Sequence, residues 1–259
     1  MENKFNLKNK IILITGGAGR IGSAIAEEAL DLNAHVVLID FNIEKLKELS
    51  ERLSKKYKKI TTICDDLNSQ EAIKNVLKKV LSKVTKIDAA IHCMYPISNG
   101  FGDGFEDLNQ DNLFQDLNMQ LGLAILFSQQ ILKQFKSQGY GDLIHISSIQ
   151  GVQPPKFRHY ENTIMNSPIE YSAIKSGIIS ITRWLAKYYK NQKIRVNCVS
   201  PGGIKDSQPD EFIRKYREDC TNIGMLTKEQ VASAIIFLLT PAAIAINGQN
   251  LIVDDGWTL

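Results

Sequence analysis

A phenol and an ammonium stand four residues apart in Glu170-Tyr171-Ser172-Ala173-Ile174-Lys175. From Glu170 to about Asn191 the apolar residues Ile174, Ile178, Ile181 and Leu185 recur at helical spacing, which predicts Tyr171 and Lys175 one turn apart on the same side of a helix. A phenol titrates near pH 10. To give and take a proton near neutrality it needs a depression of roughly 3 pKa units, or about 4 kcal/mol, and a neighbouring positive charge acts in that direction. Spacing alone does not single this pair out, because Tyr189 and Lys193 repeat it.

A second group of residues suits an anion. Ile11-Ile12-Leu13-Ile14 is a continuous apolar run, as expected of a strand covered on both faces, and it ends in Thr15-Gly16-Gly17-Ala18-Gly19-Arg20-Ile21-Gly22 at the start of a helix. Gly16, Gly19 and Gly22 let the backbone approach a pyrophosphate, and the helix N-terminus offers free N–H groups and a positive dipole end. His35 to Asp40 reads as a second buried strand that ends in an acid 18 residues beyond Gly22. A carboxylate there accepts the hydroxyls of an adenosine ribose and repels a 2′-phosphate, so NAD is favoured over NADP. Arg20 is the feature that would suit NADP. Asp40 also reads as the N-cap of a helix beginning near Ile43.

The elements that position these groups alternate along the chain. A helix from about Ile43 to Lys56, a strand Ile60 to Cys64, a helix Ser69 to Ser82 and a strand Ile87 to His92 come first. A long amphipathic stretch from about Asp107 to Lys136, a strand Leu143 to Ser147, the Tyr171 helix and a strand Ile194 to Ser200 follow. Thr227 to Leu239, with Thr227 as N-cap, is the final helix, and Asn250 to Asp254 the last strand. Such alternation predicts an α/β fold, a doubly wound parallel sheet (Rossmann fold), in a single domain spanning 1–259. Ligands of such sheets bind at the carboxyl ends of the strands, so Gly16 to Gly22, Asp40, Asp65-Asp66, His92-Cys93, Ser147-Ser148 and Pro201-Gly202 should surround one crevice. Tyr171 and Lys175 lie at that end and Tyr189 and Lys193 at the other. A serine beside the phenol can hold a substrate oxygen for proton transfer while hydride moves to or from a nicotinamide, whose positive charge further favours the phenolate.

Composition excludes other classes. A formal net charge of +3, with 23% charged and 44% hydrophobic residues, gives no footprint for a nucleic acid, and the lysines at 55–59 read as a solvated helix end. The most hydrophobic window, Ala232 to Ile246, is broken by Pro241 and too short for a bilayer, and no signal peptide precedes the first strand, so a cytoplasmic protein is expected. Cys64, Cys93, Cys198 and Cys220 lack C-x-x-C spacing and read as buried free thiols, with no metal site expected.

Taken together, Thr15 to Gly22, Asp40, Asp66-Leu67, Asn118, Ile146-Ser147-Ser148, Tyr171 to Lys175, Asn197 to Gly202 and Asn247-Gly248-Gln249 resemble the short-chain dehydrogenase/reductase family over nearly the whole chain. The resemblance implies Tyr171 as acid and base, and Lys175 as the residue that lowers its pKa and binds the nicotinamide ribose. It implies Ser148 as the group orienting the substrate oxygen, and Asn118 as the holder of a relay water behind Lys175. The implied cofactor set is Gly16, Gly19, Arg20, Ile21, Gly22, Asp40, Asp66, Leu67, His92, Pro201 and Gly202, with Tyr171 and Lys175; Asp66 would bond the adenine. A homodimer or homotetramer is implied as well, built on second apolar faces at Leu117, Leu121 and Ala124 and at Trp184 and Tyr188.

The chain departs from the family in several places. Arg20 replaces the middle glycine of the usual turn, His92-Cys93-Met94-Tyr95 replaces Asn-Asn-Ala-Gly, and Asp206 stands where a threonine often contacts the cofactor. Ser148 and Tyr171 are 23 positions apart, further than in shorter members, so residues near 152–167 form an inserted loop bearing Lys156, Arg158, His159, Tyr160 and Glu161. That loop suits a polar or anionic substrate, a surface excursion or an oligomer contact, with His159 exposed. Residues 206–225 read as a lid. The insertion and Tyr95-Pro96 resemble a bacterial subgroup of flagellin-sugar and surface-glycan pathways, which implies a sugar-like small-molecule substrate. Two other readings compete: a catalytically slack NAD(H) sensor or partner subunit, and an epimerase or dehydratase with tightly held NAD, suggested by the Gly16, Gly19, Gly22 spacing.

Overall fold

The computed structural model describes residues 4–259. Seven parallel strands form one sheet in the order β3-β2-β1-β4-β5-β6-β7. They are β1 (Ile11–Thr15), β2 (His35–Asp40), β3 (Ile60–Cys64), β4 (Ala89–His92), β5 (Tyr140–Ile146), β6 (Lys193–Pro201) and β7 (Asn250–Val253). Helices α1 (Arg20–Asp31), α2 (Ile43–Ser54) and α8 (Lys228–Leu239) cover one face, packing Ile25, Leu49 and Ile235 with Ile14 and Val36. On the other face α3 (Gln70–Lys83) and α5 (Leu123–Gln138) pack Val76, Phe127 and Ile131 against Leu13, Val37 and Leu143. Strands buried on both faces explain the unbroken apolar runs that defined them. Strand order reverses between β1 and β4, and a crevice opens at their carboxyl ends.

The stretch from 107 to 136 is not one regular helix. α4 (Gln110–Asp116) runs through a π turn (Leu117–Gly122) into α5. A π turn carries an extra residue, so helical spacing fails across it. Ala124, expected on an outer face with Leu117 and Leu121, is fully buried. On α6 (Ile169–Tyr188) Trp184 and Tyr188 do face outward, 60% and 65% exposed, with rings stacked at 4.9 Å.

Two further expectations are corrected. Asn42, not Asp40, caps α2, its side chain accepting the Lys45 N–H. Cys64 is exposed, since β3 is an edge strand and Cys64 its last residue; Cys93 and Cys220 are half-buried and Cys198 alone is buried, all four being free. Thr227 caps α8 as expected, in a reciprocal capping box with Gln230. No helix among the described residues is long and apolar enough to cross a membrane.

The inserted loop has its own small core. Ile149, Phe212, Tyr216, Met225 and Trp257 cluster where the loop meets α7 (Asp210–Glu218) and the C-terminal segment, with Tyr160 and Met165 against them. His159 is consequently 1% exposed, its ring between Phe212, Tyr216 and Trp257. Local sequence could not reveal that burial, because the covering rings come from more than fifty residues away.

Candidate active site

The glycine turn between β1 and α1 is fixed by sterics. Gly16 has φ +63°, and a Cβ there would come within 2.8 Å of the Cys93 carbonyl oxygen. A Cβ on Gly22 would collide with the Gly16 carbonyl oxygen. α1 then opens at Gly19 with no side-chain cap and no acid in its first turn, which leaves the N–H groups of Arg20, Ile21 and Gly22 aimed outward at the positive end of the helix. A dinucleotide pyrophosphate fits that donor set.

Asp40 closes the adenosine side. Its Oδ2 accepts the Ala18 N–H and its Oδ1 the Asn42 N–H, both at 3.0 Å, so the carboxylate is held at the β2 end with lone pairs to spare for a ribose. Asp66 lies exposed beyond β3, bonded by Asn68, while Leu67 is buried beneath. Arg20 pairs with Asp206 across the mouth of the crevice. Pro201 and Gly202 are buried at the end of β6, where the Tyr216 hydroxyl accepts the neighbouring Gly203 N–H at 2.7 Å.

The His92 side chain does not face the crevice. Along β4 it shares the face of Ala90, so its ring turns under α5, 5.3 Å from Phe127 and 5.5 Å from His145, with 3% exposure. Burial, then His145 and Lys175, depress its pKa well below the usual histidine value, and His145 is pushed down to about 4 by burial and Lys175. Both imidazoles are neutral at pH 7. The Cys93 and Met94 backbone that follows His92 lies against Gly16 of the glycine turn.

At the end of β5 the two serines diverge. Ser147 is buried and donates to the Lys175 carbonyl at 2.8 Å; Ser148 accepts the Gln150 N–H and reaches the Tyr171 hydroxyl. The Lys175 ammonium, 5% exposed, donates to the Ile146 carbonyl at 3.2 Å and lies 5.4 Å from the Tyr171 ring centre. Burial lowers the Lys175 pKa to about 8, against a rise from Cys93. The Tyr171 phenol itself is raised by burial, lowered by Ser148 and raised again by Tyr160. The expected depression by Lys175 is therefore not a property of the protein alone, and Tyr171 stands as a neutral acid.

Asn118 differs from these residues in exposure. It lies in the π turn with its side chain exposed and its carbonyl accepting from the Leu123 N–H. Gln120, two residues on, is 3% exposed, and neither its amide nitrogen nor its oxygen has a partner. Gln120 shares an inward face with Ala124 and Phe127, one and two turns along. That spacing was the available signal, masked by the π turn.

The loop cations are also committed elsewhere. Lys156, Arg158 and His159 converge on Asp219 at 3.1, 2.7 and 2.5 Å. Burial would raise the Asp219 carboxyl, yet bonds from Arg158, His159 and Lys156 outweigh it and hold it down to about 2. The loop therefore offers polar neutral groups: Gln150 donates to the Tyr160 hydroxyl at 3.1 Å and accepts from Ser167 at 2.7 Å.

A seven-stranded parallel Rossmann sheet with a glycine turn, an acid ending β2 and a Ser-Tyr-Lys group at β5 and α6 defines a nicotinamide-dependent class, and residues 16–258 match the family model described as enoyl-(acyl carrier protein) reductase. The chain belongs to the short-chain dehydrogenase/reductase family and is an oxidoreductase. It is 40% identical over 255 residues to post-translational flagellin modification protein A of Campylobacter coli, covering 98% of this chain and all of the relative. It is 26% identical to the 7alpha-hydroxysteroid dehydrogenase of Bacteroides fragilis, covering 99% and 96%. A short-chain dehydrogenase of Leptospira borgpetersenii, solved with bound NAD+, superposes with a TM-score of 0.88 at 29% identity, covering 100% and 97%.

Proposed function

We propose that this protein is an NAD(H)-preferring enzyme that moves a hydride between the nicotinamide and an alcohol or ketone carbon of a polar, sugar-like small molecule in the cytoplasm. The observation that carries this reading is the convergence of Ser148 and Lys175 on the Tyr171 phenol at the carboxyl end of the sheet. Asp40, fixed at the end of β2, supports NAD over NADP. The polar lining from Gln150, Tyr160 and Ser167, and a relative named for flagellin modification, support a hydroxyl-rich substrate.

Bound nicotinamide supplies the hydride in reduction and receives it in oxidation. Ser148 donates a hydrogen bond to the substrate oxygen and holds it beside Tyr171. Tyr171, protonated at neutral pH, gives its proton to that oxygen as negative charge develops there, and takes it back in the reverse direction. Lys175 holds positive charge against the resulting phenolate and binds the ribose. Gln120, rather than Asn118, is the polar side chain inside the π turn that serves the relay. Residues 206–225 close over the substrate, the inserted loop moves with them through Asp219, and Trp184 and Tyr188 join copies into a homodimer or homotetramer.

The test is to follow nicotinamide absorbance while the protein meets NADH or NADPH and a panel of keto-sugars. Turnover with NADH favoured over NADPH is expected. Tight NADH binding with no turnover on any carbonyl would contradict the reading and leave a nucleotide sensor.

A further inference from the structure

The Lys175 charge lacks the partners that a buried ammonium normally has. It has three N–H donors, and among the described residues the Ile146 carbonyl is its one hydrogen-bond partner, with no carboxylate paired to it. Two aromatic faces surround it instead: its nitrogen lies 5.3 Å from the Tyr95 ring centre and 5.4 Å from that of Tyr171. Both distances are within cation–π range. Tyr95 meets Tyr171 edge-on at 5.8 Å, and Phe101 braces both, 5.8 Å from Tyr95 and 6.3 Å from Tyr171, with all three rings nearly perpendicular.

We infer that Tyr95 is a positioning residue: its ring face holds the Lys175 ammonium, in charged form and in place, against the Tyr171 phenol. The groups facing Lys175 are His92 from β4, Cys93 and Tyr95 from the segment after it, His145 from β5 and Tyr171 from its own helix. Both histidines are neutral, and burial raises the Cys93 thiol to about 12. That leaves the ring faces to offset the burial that pulls the ammonium down to about 8. The Tyr95 phenol is itself raised, by burial first and then by Tyr171, Asp116 and Glu170, so its ring stays neutral wherever Lys175 titrates.

The inference rests on the functional reading above for its catalytic meaning but is tested without it. The measurement is an NMR titration of the Lys175 side chain in protein carrying isotope-labelled lysine, with the resonance assigned by its loss in Lys175→Met. Tyr95→Leu should lower the titration midpoint by about half a pH unit or more, and Tyr95→Phe, which keeps the ring, should restore the wild-type midpoint. The high-pH limb of kcat should move with it, while KM for NADH moves less. An unchanged midpoint in Tyr95→Leu, or an equal fall in Tyr95→Phe, would overturn the inference. A lowered midpoint in Tyr95→Leu, together with a wild-type protein that turns over no carbonyl, would uphold the cage and overturn the functional reading alone.

Discussion

The Ser147 hydroxyl donates to the Lys175 carbonyl at 2.8 Å, while the Lys175 side chain returns to the Ile146 carbonyl one residue earlier on β5. The two bonds stitch β5 to α6 and fix the height of the ammonium behind Tyr171. Adjacent serines thus have separate tasks, because successive side chains leave an extended backbone in opposite directions. Ser147→Ala should cost about 1 kcal/mol of stability by removing the buried hydrogen bond that ties β5 to α6. Ser148→Ala should leave stability within about 0.5 kcal/mol and reduce kcat on the order of 100-fold. Denaturant melts and steady-state rates on both variants check this; the opposite assignment of effects would contradict it.

Asp40 is bound to the glycine turn as well as poised for a ribose. Asp40→Ala should therefore raise the KM for NADH and narrow its advantage over NADPH on the order of tenfold, the equivalent of one charged hydrogen bond. The ratio of kcat/KM for the two cofactors is the readout. An unchanged ratio would show that the carboxylate serves the turn alone.

The π turn offers two amides, and only one is inside. Gln120→Ala should lower kcat by at least about tenfold with little change in KM, if its buried amide serves proton transfer. Asn118→Ala should leave kcat within about twofold, as for an exposed side chain. Steady-state kinetics decide between them, and the reverse outcome would restore Asn118 to the relay.

The buried pair His92 and His145 should make the fold acid-labile. The folded pKa of His145, about 4, lies below the unfolded value near 6.5, so the unfolded chain takes up the proton first as pH falls. Stability should be full above pH 6.5 and decline by about 3 kcal/mol between there and pH 4 from this group, with His92 adding in the same direction. Chemical denaturation at pH 7 and pH 4.5 measures the slope. His145→Gln should flatten it; an unaltered slope in that variant would place the acid sensitivity elsewhere.

The strand and helix order was legible because both sheet faces are covered, so apolar runs and amphipathic helices alternate without interruption. Gly16, Asp40, Ser148, Tyr171 and Lys175 were legible too, since chain order and the rule of the carboxyl ends bring them to one crevice. What escaped was set by geometry with no local signature. The π turn moved the inward amide from Asn118 to Gln120. Strand parity turned His92 away from the cofactor side. Distant aromatic rings buried His159, and Asp219 took up the loop cations that appeared free for an anionic substrate.

The central claim is that the Tyr171 hydroxyl carries the proton that accompanies hydride transfer. The most direct measurement compares wild type with Tyr171→Phe, reading both hydride transfer from NADH to a keto-substrate and the dissociation constant for NADH. The account predicts a loss of transfer of about 1000-fold or more with affinity nearly unchanged. Full activity in Tyr171→Phe would contradict it.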